Sequence, residues 1–258
     1  MKQILSFDVD QTLNVAKTPI PREIADLLII CLRADFKICP ISGQKFDQFL
    51  VQIVNPLLDS GATTSDLEKL HLFVAQGTQY YRFENGDWAK VYDFPLTDEE
   101  VRKISSALET SARELGFWEA DKLKEGDEIV ENRLSQVTFS ALGQKAGTEE
   151  KYAWDPDCKK REKIVKRCHE LAPEFSFEIG GTTSINAFKP GMNKIFGMTH
   201  LMEELHVEKS DILYFGDMTQ PGGNDYPVVE MGIDTITVRS HEDTAYALRG
   251  ILGVTGNL

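Results

Sequence analysis

Cysteine is scarce in this chain. Its 258 residues hold four, Cys31, Cys39, Cys158 and Cys168, with no Cys-x-x-Cys spacing, so they read as reduced core or helix residues and not as a disulfide framework. No apolar run is long enough to span a bilayer and no apolar leader precedes the first strand pattern, so a cytoplasmic location is expected. Positive charge is also in short supply. The 28 Lys and Arg stand against 41 Asp and Glu, a net charge of −13, which argues against nucleic acid or an anionic membrane as the main partner. A phosphorylated substrate would therefore have to be met by local cations. Internal repeats and low-complexity segments are missing too. What is there, 41% hydrophobic and 27% charged residues, suits one large α/β domain or a core with an inserted second domain.

The chain is organised around Ile4-Leu5-Ser6-Phe7-Asp8-Val9-Asp10-Gln11-Thr12. Residues 4–9 read as a short apolar strand, central in its sheet, with Asp8 and Asp10 at its C-terminal mouth, where open α/β sheets bind ligands. Two carboxylates beside an apolar strand are tolerated when they converge on one hard cation with oxygen ligands. The bland alternative is a strand that runs out into an acidic turn.

Strand and helix patterns then alternate. A helix opens at Pro21-Arg22-Glu23. A strand over 37–41 ends at Ser42-Gly43-Gln44, a helix begins near Lys45, and a third strand covers 70–75. This rhythm predicts parallel βαβ units. It breaks at a hairpin pattern over 80–92, turning at Asn85-Gly86, and at Thr97-Asp98-Glu99-Glu100, a capping box for a helix to about Leu115. Strands over 128–133 and 136–142 follow, then a helix opened by Asp155-Pro156 and running to about Leu171, then strands over 175–179 and 184–188. The block 93–187 is therefore expected to be an α+β insertion lying over the carboxylates as a lid, with 1–92 and 188–258 forming the core. The rhythm returns with a helix after Asn193-Lys194, a strand over 212–215 leading into Gly216-Asp217, a strand over 235–238 and a final helix from Glu242.

Strand ends and helix starts thus offer Asp8, Asp10, Ser42, Lys194 and Asp217. A carboxylate is a weak nucleophile, and bringing it to an anionic phosphate needs an ammonium and a divalent cation to offset the repulsion. Asp8 is expected to attack phosphorus, Asp10 to act as general acid and then base, Ser42 to hydrogen-bond a phosphoryl oxygen, and Lys194 to supply charge. Mg²⁺ is the expected cofactor, held by Asp8, Asp217 and the main-chain carbonyl of Asp10, with Asp225 a candidate for backing these ligands or a second cation.

Phe7-Asp8-Val9-Asp10-x-Thr12, Ser42-Gly43, Lys194 and Gly216-Asp217, in this order, resemble the four motifs of the haloacid dehalogenase superfamily of phosphotransferases. The insertion resembles the α+β cap of that superfamily, and the implied fold is a doubly wound, Rossmann-like parallel-sheet core with this cap. More narrowly, Phe215 to Asp225, Gly180 to Phe188 and the segments around Glu131-Asn132-Arg133 and Gly143-Gln144 are similar to the eukaryotic-type phosphomannomutases. That resemblance implies a hexose-phosphate mutase interconverting mannose 1-phosphate and mannose 6-phosphate, with Lys17, Arg133, Gln144, Lys151, Ser184 and Asn186 holding the sugar and its non-reacting phosphate, and a homodimer through the cap. The sequence departs from the family pattern at Lys17, Gln144 and Lys151, where arginines are usual, at Asn186, usually Asp, and at Gln11, usually Gly. Lysine lacks arginine's planar fork for phosphate, so a sugar-phosphate phosphatase is the alternative, and a non-catalytic phosphate-binding module a third reading.

Overall fold

The structure, a computed structural model, describes residues 2–15 and 17–258. They divide into two compact units, one made of Met1–Asp93 and Asn193–Leu258, the other of Phe94–Met192.

The first unit opens with β1 (Ile4–Phe7), every residue of which is buried. Then come α1 (Arg22–Arg33), β2 (Lys37–Pro40), α2 (Phe46–Phe49), α3 (Asn55–Asp59), α4 (Thr64–Leu67), β3 (His71–Val74), β4 (Gln79–Glu84) and β5 (Asp87–Asp93). The helix expected from Lys45 is real but not uniform. Residues Leu50–Val54, between α2 and α3, are π-helical, the single-turn bulge that one extra residue forces into a helix. In α1 the apolar spacing buries Ile24, Leu27, Leu28 and Cys31, as the helical period requires.

The second unit holds α5 (Asp98–Glu114), β6 (Val130–Asn132), β7 (Val137–Ser140), α6 (Thr148–Trp154), α7 (Lys159–Leu171), β8 (Ser176–Gly180) and β9 (Ser184–Phe188). Thr97 and Glu100 form the capping box read from the sequence: each side chain takes the other's backbone N–H at the start of α5. The helix expected from Asp155-Pro156 starts instead at Lys159. Cys158 before it has φ +61°, a left-handed conformation that ends any helical run from 155, and the Asp155 carboxylate accepts from Lys160 N and Arg161 N. Helix α6 has no counterpart in the sequence reading, because its seven residues carry no apolar period.

The chain returns to the first unit with α8 (Lys194–Leu205), β10 (Ile212–Gly216), α9 (Tyr226–Glu230), β11 (Asp234–Thr237) and α10 (His241–Thr255). The core sheet runs in the order β11-β10-β1-β2, parallel throughout. β1 is central, as its apolar run requires of a strand buried on both faces. Phe7 and Phe215 pair in register on β1 and β10 and stack with centroids 4.7 Å apart. Burying each such ring contributes roughly 2–3 kcal/mol. Parallel bridges Ile38 to Leu70 and Ile41 to Phe73 tie β3 to β2, and β3 also heads the antiparallel sheet β3-β4-β5. The core is therefore the expected α/β sheet, with the hairpin grown from its edge.

In the second unit β6-β7-β9-β8 form one antiparallel sheet. Val137, Phe139, Ile185 and Ala187 point into an apolar cluster with Ile104, Leu108, Ile164 and Cys168 of α5 and α7. By strand alternation the opposite face belongs to Thr138, Ser140, Ser184 and Asn186. No helix among the described residues is long and apolar enough to cross a membrane.

Candidate active site

Parallel pairing brings the first unit's chemistry to one edge of its sheet. Asp8 continues β1, donating its amide to Phe215 O at 2.8 Å, and Ile41 N reaches Phe7 O at 2.8 Å, so Ser42 leaves β2 one residue beyond the level of Asp8. Asp217 leaves β10 on the other side. Asp8 and Ser42 are buried, and Asp10 and Asp217 half-buried.

Lys194, the first residue of α8, is 1% exposed. Asn193 caps that helix by accepting from Ile195 N at 3.0 Å, which sets the direction in which Lys194 enters the core. Its Nζ donates to Asp8 Oδ1 at 2.5 Å, to Tyr214 Oη at 3.0 Å, and to Asp225 Oδ1. Tyr214 Oη donates to Asp225 Oδ1 at 2.6 Å, and Met218 N donates to Asp225 Oδ2 at 3.0 Å. Gly216 makes room for this: a Cβ there would lie 2.5 Å from Asp225 Oδ2. Asp8, Asp217 and Asp225 each place one carboxylate oxygen within 4.8 Å of the others.

The electrostatics divide these carboxylates. Burial opposes charge on Asp225, but Lys194, Tyr214 and Met218 N together hold its pKa below the usual carboxylate range. Burial likewise opposes charge on Lys194, yet Asp225 and Asp8 raise its pKa above that of an ordinary lysine. Asp225 and Lys194 are thus a settled ion pair. Asp8 is raised well above its ordinary value, by burial and then by Asp225 and Asp217, with Lys194 only partly offsetting this; Asp217 is pushed up to about 6 by burial and by Asp225. Asp8 and Asp217 are short of positive charge. Their donor set, carboxylate oxygens only, is the kind that hard divalent cations take, so these residues fit Mg²⁺. Asp225, with both oxygens already accepting hydrogen bonds, backs Lys194.

Asp10 faces its own loop: Oδ1 accepts from Lys17 N at 2.8 Å, and Gln11 N reaches Asn14 O at 3.0 Å. Gln11 has φ +67° and Lys17 φ +62°, and Lys17 is exposed. The position where glycine is usual therefore does hold the left-handed backbone that glycine adopts without strain. In the loops carrying Asp8 and Ser42, buried Thr12 Oγ1 and both amide atoms of Gln44 have no hydrogen-bond partner among the described residues. Such bare polar atoms are what a polar ligand or ordered water occupies.

In the second unit, Ser184 and Asn186 on β9 pair with Ser140 and Thr138 on β7. Ser140 Oγ and Ser184 Oγ are 3.1 Å apart, Thr138 Oγ1 donates to Asn186 Oδ1 at 3.0 Å, and Gln144 Nε2 donates to Ser140 Oγ at 2.8 Å. Gln144, Ser184 and Asn186 therefore share one polar ladder. The two cations are engaged elsewhere: Arg133 Nε with Glu131 Oε2 at 2.7 Å, and Lys151 Nζ with Gln144 O at 2.7 Å. Tyr214, Thr138 and Ser140 escaped the sequence reading as site residues, and Glu131 entered it only as part of its segment. Nothing in their neighbours marks them; only the pairing of strands does.

A parallel α/β core that carries an Asp at the end of its first strand, a second Asp two residues on, and a Lys and an Asp from later elements at one sheet edge is the design of the haloacid dehalogenase superfamily. A haloacid dehalogenase-like hydrolase from Bacteroides thetaiotaomicron has the same fold, with a TM-score of 0.63 at 14% identity over 97% of this chain and 100% of that one. The family model for eukaryotic phosphomannomutase matches residues 120–254, and the chain belongs to that family. The phosphomannomutase of Encephalitozoon cuniculi is 27% identical over 255 residues, 94% of this chain and 91% of its own length. That of Saccharomyces cerevisiae is 27% identical over 254 residues, 95% of this chain and 92% of its own. The protein is accordingly an enzyme of the phosphomannomutase type.

Proposed function

We propose that the chain is a Mg²⁺-dependent phosphotransferase acting on hexose phosphates through an aspartyl phosphate on Asp8, and that its reaction is the interconversion of mannose 1-phosphate and mannose 6-phosphate. The observation that carries this is the ammonium of Lys194 held against the buried Asp8 carboxylate, inside a cluster otherwise too negative to receive a phosphate. A carboxylate oxygen of Asp8 attacks phosphorus; the bond from phosphorus to the sugar oxygen breaks, and Asp10 gives that oxygen its proton. In the second half the incoming hydroxyl loses its proton to Asp10 and takes the phosphoryl group from Asp8. Lys194 supplies a fixed positive charge to the phosphoryl oxygens, and Ser42 supplies a hydroxyl. Mg²⁺, held by Asp8, Asp217 and the Asp10 carbonyl, would neutralise charge on the transferring group. Lys17, Arg133, Gln144, Lys151, Ser184 and Asn186 complete the reading as contacts to the sugar and its second phosphate, along with a homodimer through residues 93–187 and a cytoplasmic location.

A phosphatase is the second reading. Arg133 already paired with Glu131, and Lys151 with a carbonyl, favour it, because a cation in use elsewhere grips a second phosphate less well. In that case water takes the phosphoryl group from Asp8.

Asp8→Asn should abolish phosphate release from p-nitrophenyl phosphate in Mg²⁺; activity surviving that change would exclude Asp8 as nucleophile. Mannose 1-phosphate with a trace of hexose bisphosphate should then give mannose 6-phosphate without free phosphate. Free phosphate as the main product means the phosphatase.

A further inference from the structure

Lys194 has three N–H bonds and no acceptor. In this buried site each has a destination: Asp8 Oδ1, Tyr214 Oη and Asp225 Oδ1. Tyr214 is itself fully buried, and its one hydroxyl proton goes to Asp225 Oδ1 at 2.6 Å, which leaves a lone pair for Lys194. Asp225 is fixed from behind by Met218 N at 3.0 Å. Lys194, Tyr214 and Asp225 therefore close a triangle, and only the third N–H, the one on Asp8, points out of it.

The triangle has a consequence for phosphoryl transfer. When Asp8 becomes an acyl phosphate its carboxylate charge is gone, and its hold on Lys194 weakens. The freed N–H meets the phosphoryl oxygens if the other two are pinned. Asp225 alone holds a flexible four-carbon chain by one contact, whereas Asp225 and Tyr214 together fix the ammonium's rotation as well as its place. We infer that Tyr214 is a positioning residue for phosphoryl transfer, its phenol orienting Lys194 so that the N–H released by Asp8 is aimed at the phosphoryl group. This rests on Asp8 being the nucleophile, as proposed above.

A tyrosine that merely satisfies its hydroxyl in the core would affect stability alone. Tyr214→Phe removes one oxygen and keeps the ring, so it separates the two roles. With p-nitrophenyl phosphate and Mg²⁺, well below the melting temperature, kcat should fall about 10- to 100-fold while KM stays within about twofold. The inhibition constant of orthovanadate, which takes up the five-coordinate geometry of the transferring phosphorus, should rise by a similar factor. Wild-type kcat and vanadate inhibition overturn the proposal whatever the melting temperature does, and so does a rise in KM with kcat unchanged. If Tyr214→Phe does not fold, Tyr214→Met, which also lacks the hydroxyl, replaces it under the same criteria. Asp8→Asn runs in parallel: activity surviving there defeats the nucleophile assignment, whereas an inactive Asp8→Asn beside a fully active Tyr214→Phe defeats only the role of Tyr214.

Discussion

Each unit of this protein buries an ion pair, and the two pairs do different things. In the second unit Arg161 and Asp155, 2% and 1% exposed, are joined at 2.8 Å. The remaining Arg161 donors end on Gly181 O at 2.6 Å, Gly180 O at 3.3 Å, Asp155 O at 3.2 Å and Cys158 Sγ at 3.1 Å, and Asp155 also takes the amides of Lys160 and Arg161. One charge meets one charge, and neutral groups take up the rest. This pair fastens the start of α7 to the turn between β8 and β9. In the first unit Lys194 and Asp225 are as deeply buried, but Asp8 and Asp217 crowd beside them, and burial with the charge of Asp225 raises both of their pKa values. A buried ion pair is therefore not in itself a site; uncompensated charge next to one is.

The largest effects should come from breaking the pairs. Lys194→Met should reduce activity by about 10³-fold or more and, by leaving Asp225 and Asp8 without their counter-ion, lower unfolding free energy by about 3–5 kcal/mol. Arg161→Met should cost a similar amount of stability through Asp155 and the two bare glycine carbonyls. The comparison separates them on repair. Asp225→Asn added to Lys194→Met should recover stability but not turnover, read by urea denaturation and by rate. A double variant that recovers turnover would show Lys194 to be a structural residue like Arg161.

Smaller, and more specific to the imbalance, is the response to metal. Asp217, pushed up to about 6, binds a proton in the folded chain that the unfolded chain releases above about 4, so it costs stability above pH 6, and the cost fades as pH falls toward 4. Mg²⁺ should replace that proton. At pH 7 and about a hundredfold above its dissociation constant it should stabilise the protein by about 2.7 kcal/mol, and Asp217→Asn should lose most of that gain. An equal melting shift in Asp217→Asn would place the ion elsewhere.

A third kind of buried group tests the same logic without a partner charge. Burial, then Lys37 and Arg82, lower His71 to about 3, and its Nδ1 lies 2.7 Å from Tyr80 Oη. A base depressed in the folded state leaves stability intact above the unfolded value near 6.5 and drains it as pH falls toward 3. His71 alone should contribute a slope of up to about 1.4 kcal/mol per pH unit between those limits. His71→Gln should flatten the stability curve from pH 6 to 4; an unchanged slope would assign the acid sensitivity to other groups.

How far the sequence spoke follows the same division. Asp8, Asp10, Ser42, Lys194 and Asp217 were legible because charge or a hydroxyl at the end of an apolar strand, or at a helix start, is conspicuous against its neighbours. Thr97 and Glu100 were legible because a capping box is local. Tyr214 was not: its hydroxyl matters only because the loop closed between Met218 and Asp225 brings a carboxylate back beneath β10. The pairing of Arg133 with Glu131 was not read either: residues two apart on a strand share a face, but Arg133 lies one residue past β6, and nothing local says which acceptor its guanidinium takes. Helix α6 was missed for want of an apolar period, and α7 was started four residues early because nothing in Cys158 announces φ +61°.

That last conformation gives the smallest test, and it again sets one unit against the other. Gln11 and Cys158 both hold left-handed backbone, at φ +67° and +61°, which costs a residue with a Cβ about 1 kcal/mol. Glycine removes that strain but adds chain entropy to the unfolded state, so the net gain at Gln11 should be no more than about 0.5–1 kcal/mol. At Cys158 the same change also deletes the sulfur that takes Arg161 Nη2 at 3.1 Å, leaving a buried guanidinium donor bare. Gln11→Gly should therefore raise the melting temperature by a degree or more and Cys158→Gly should lower it. Stabilisation by both would mean that the Arg161 network does not depend on its sulfur contact, and destabilisation by both would mean that the Gln11 side chain contributes more to the loop around Asp10 than its backbone strain takes away.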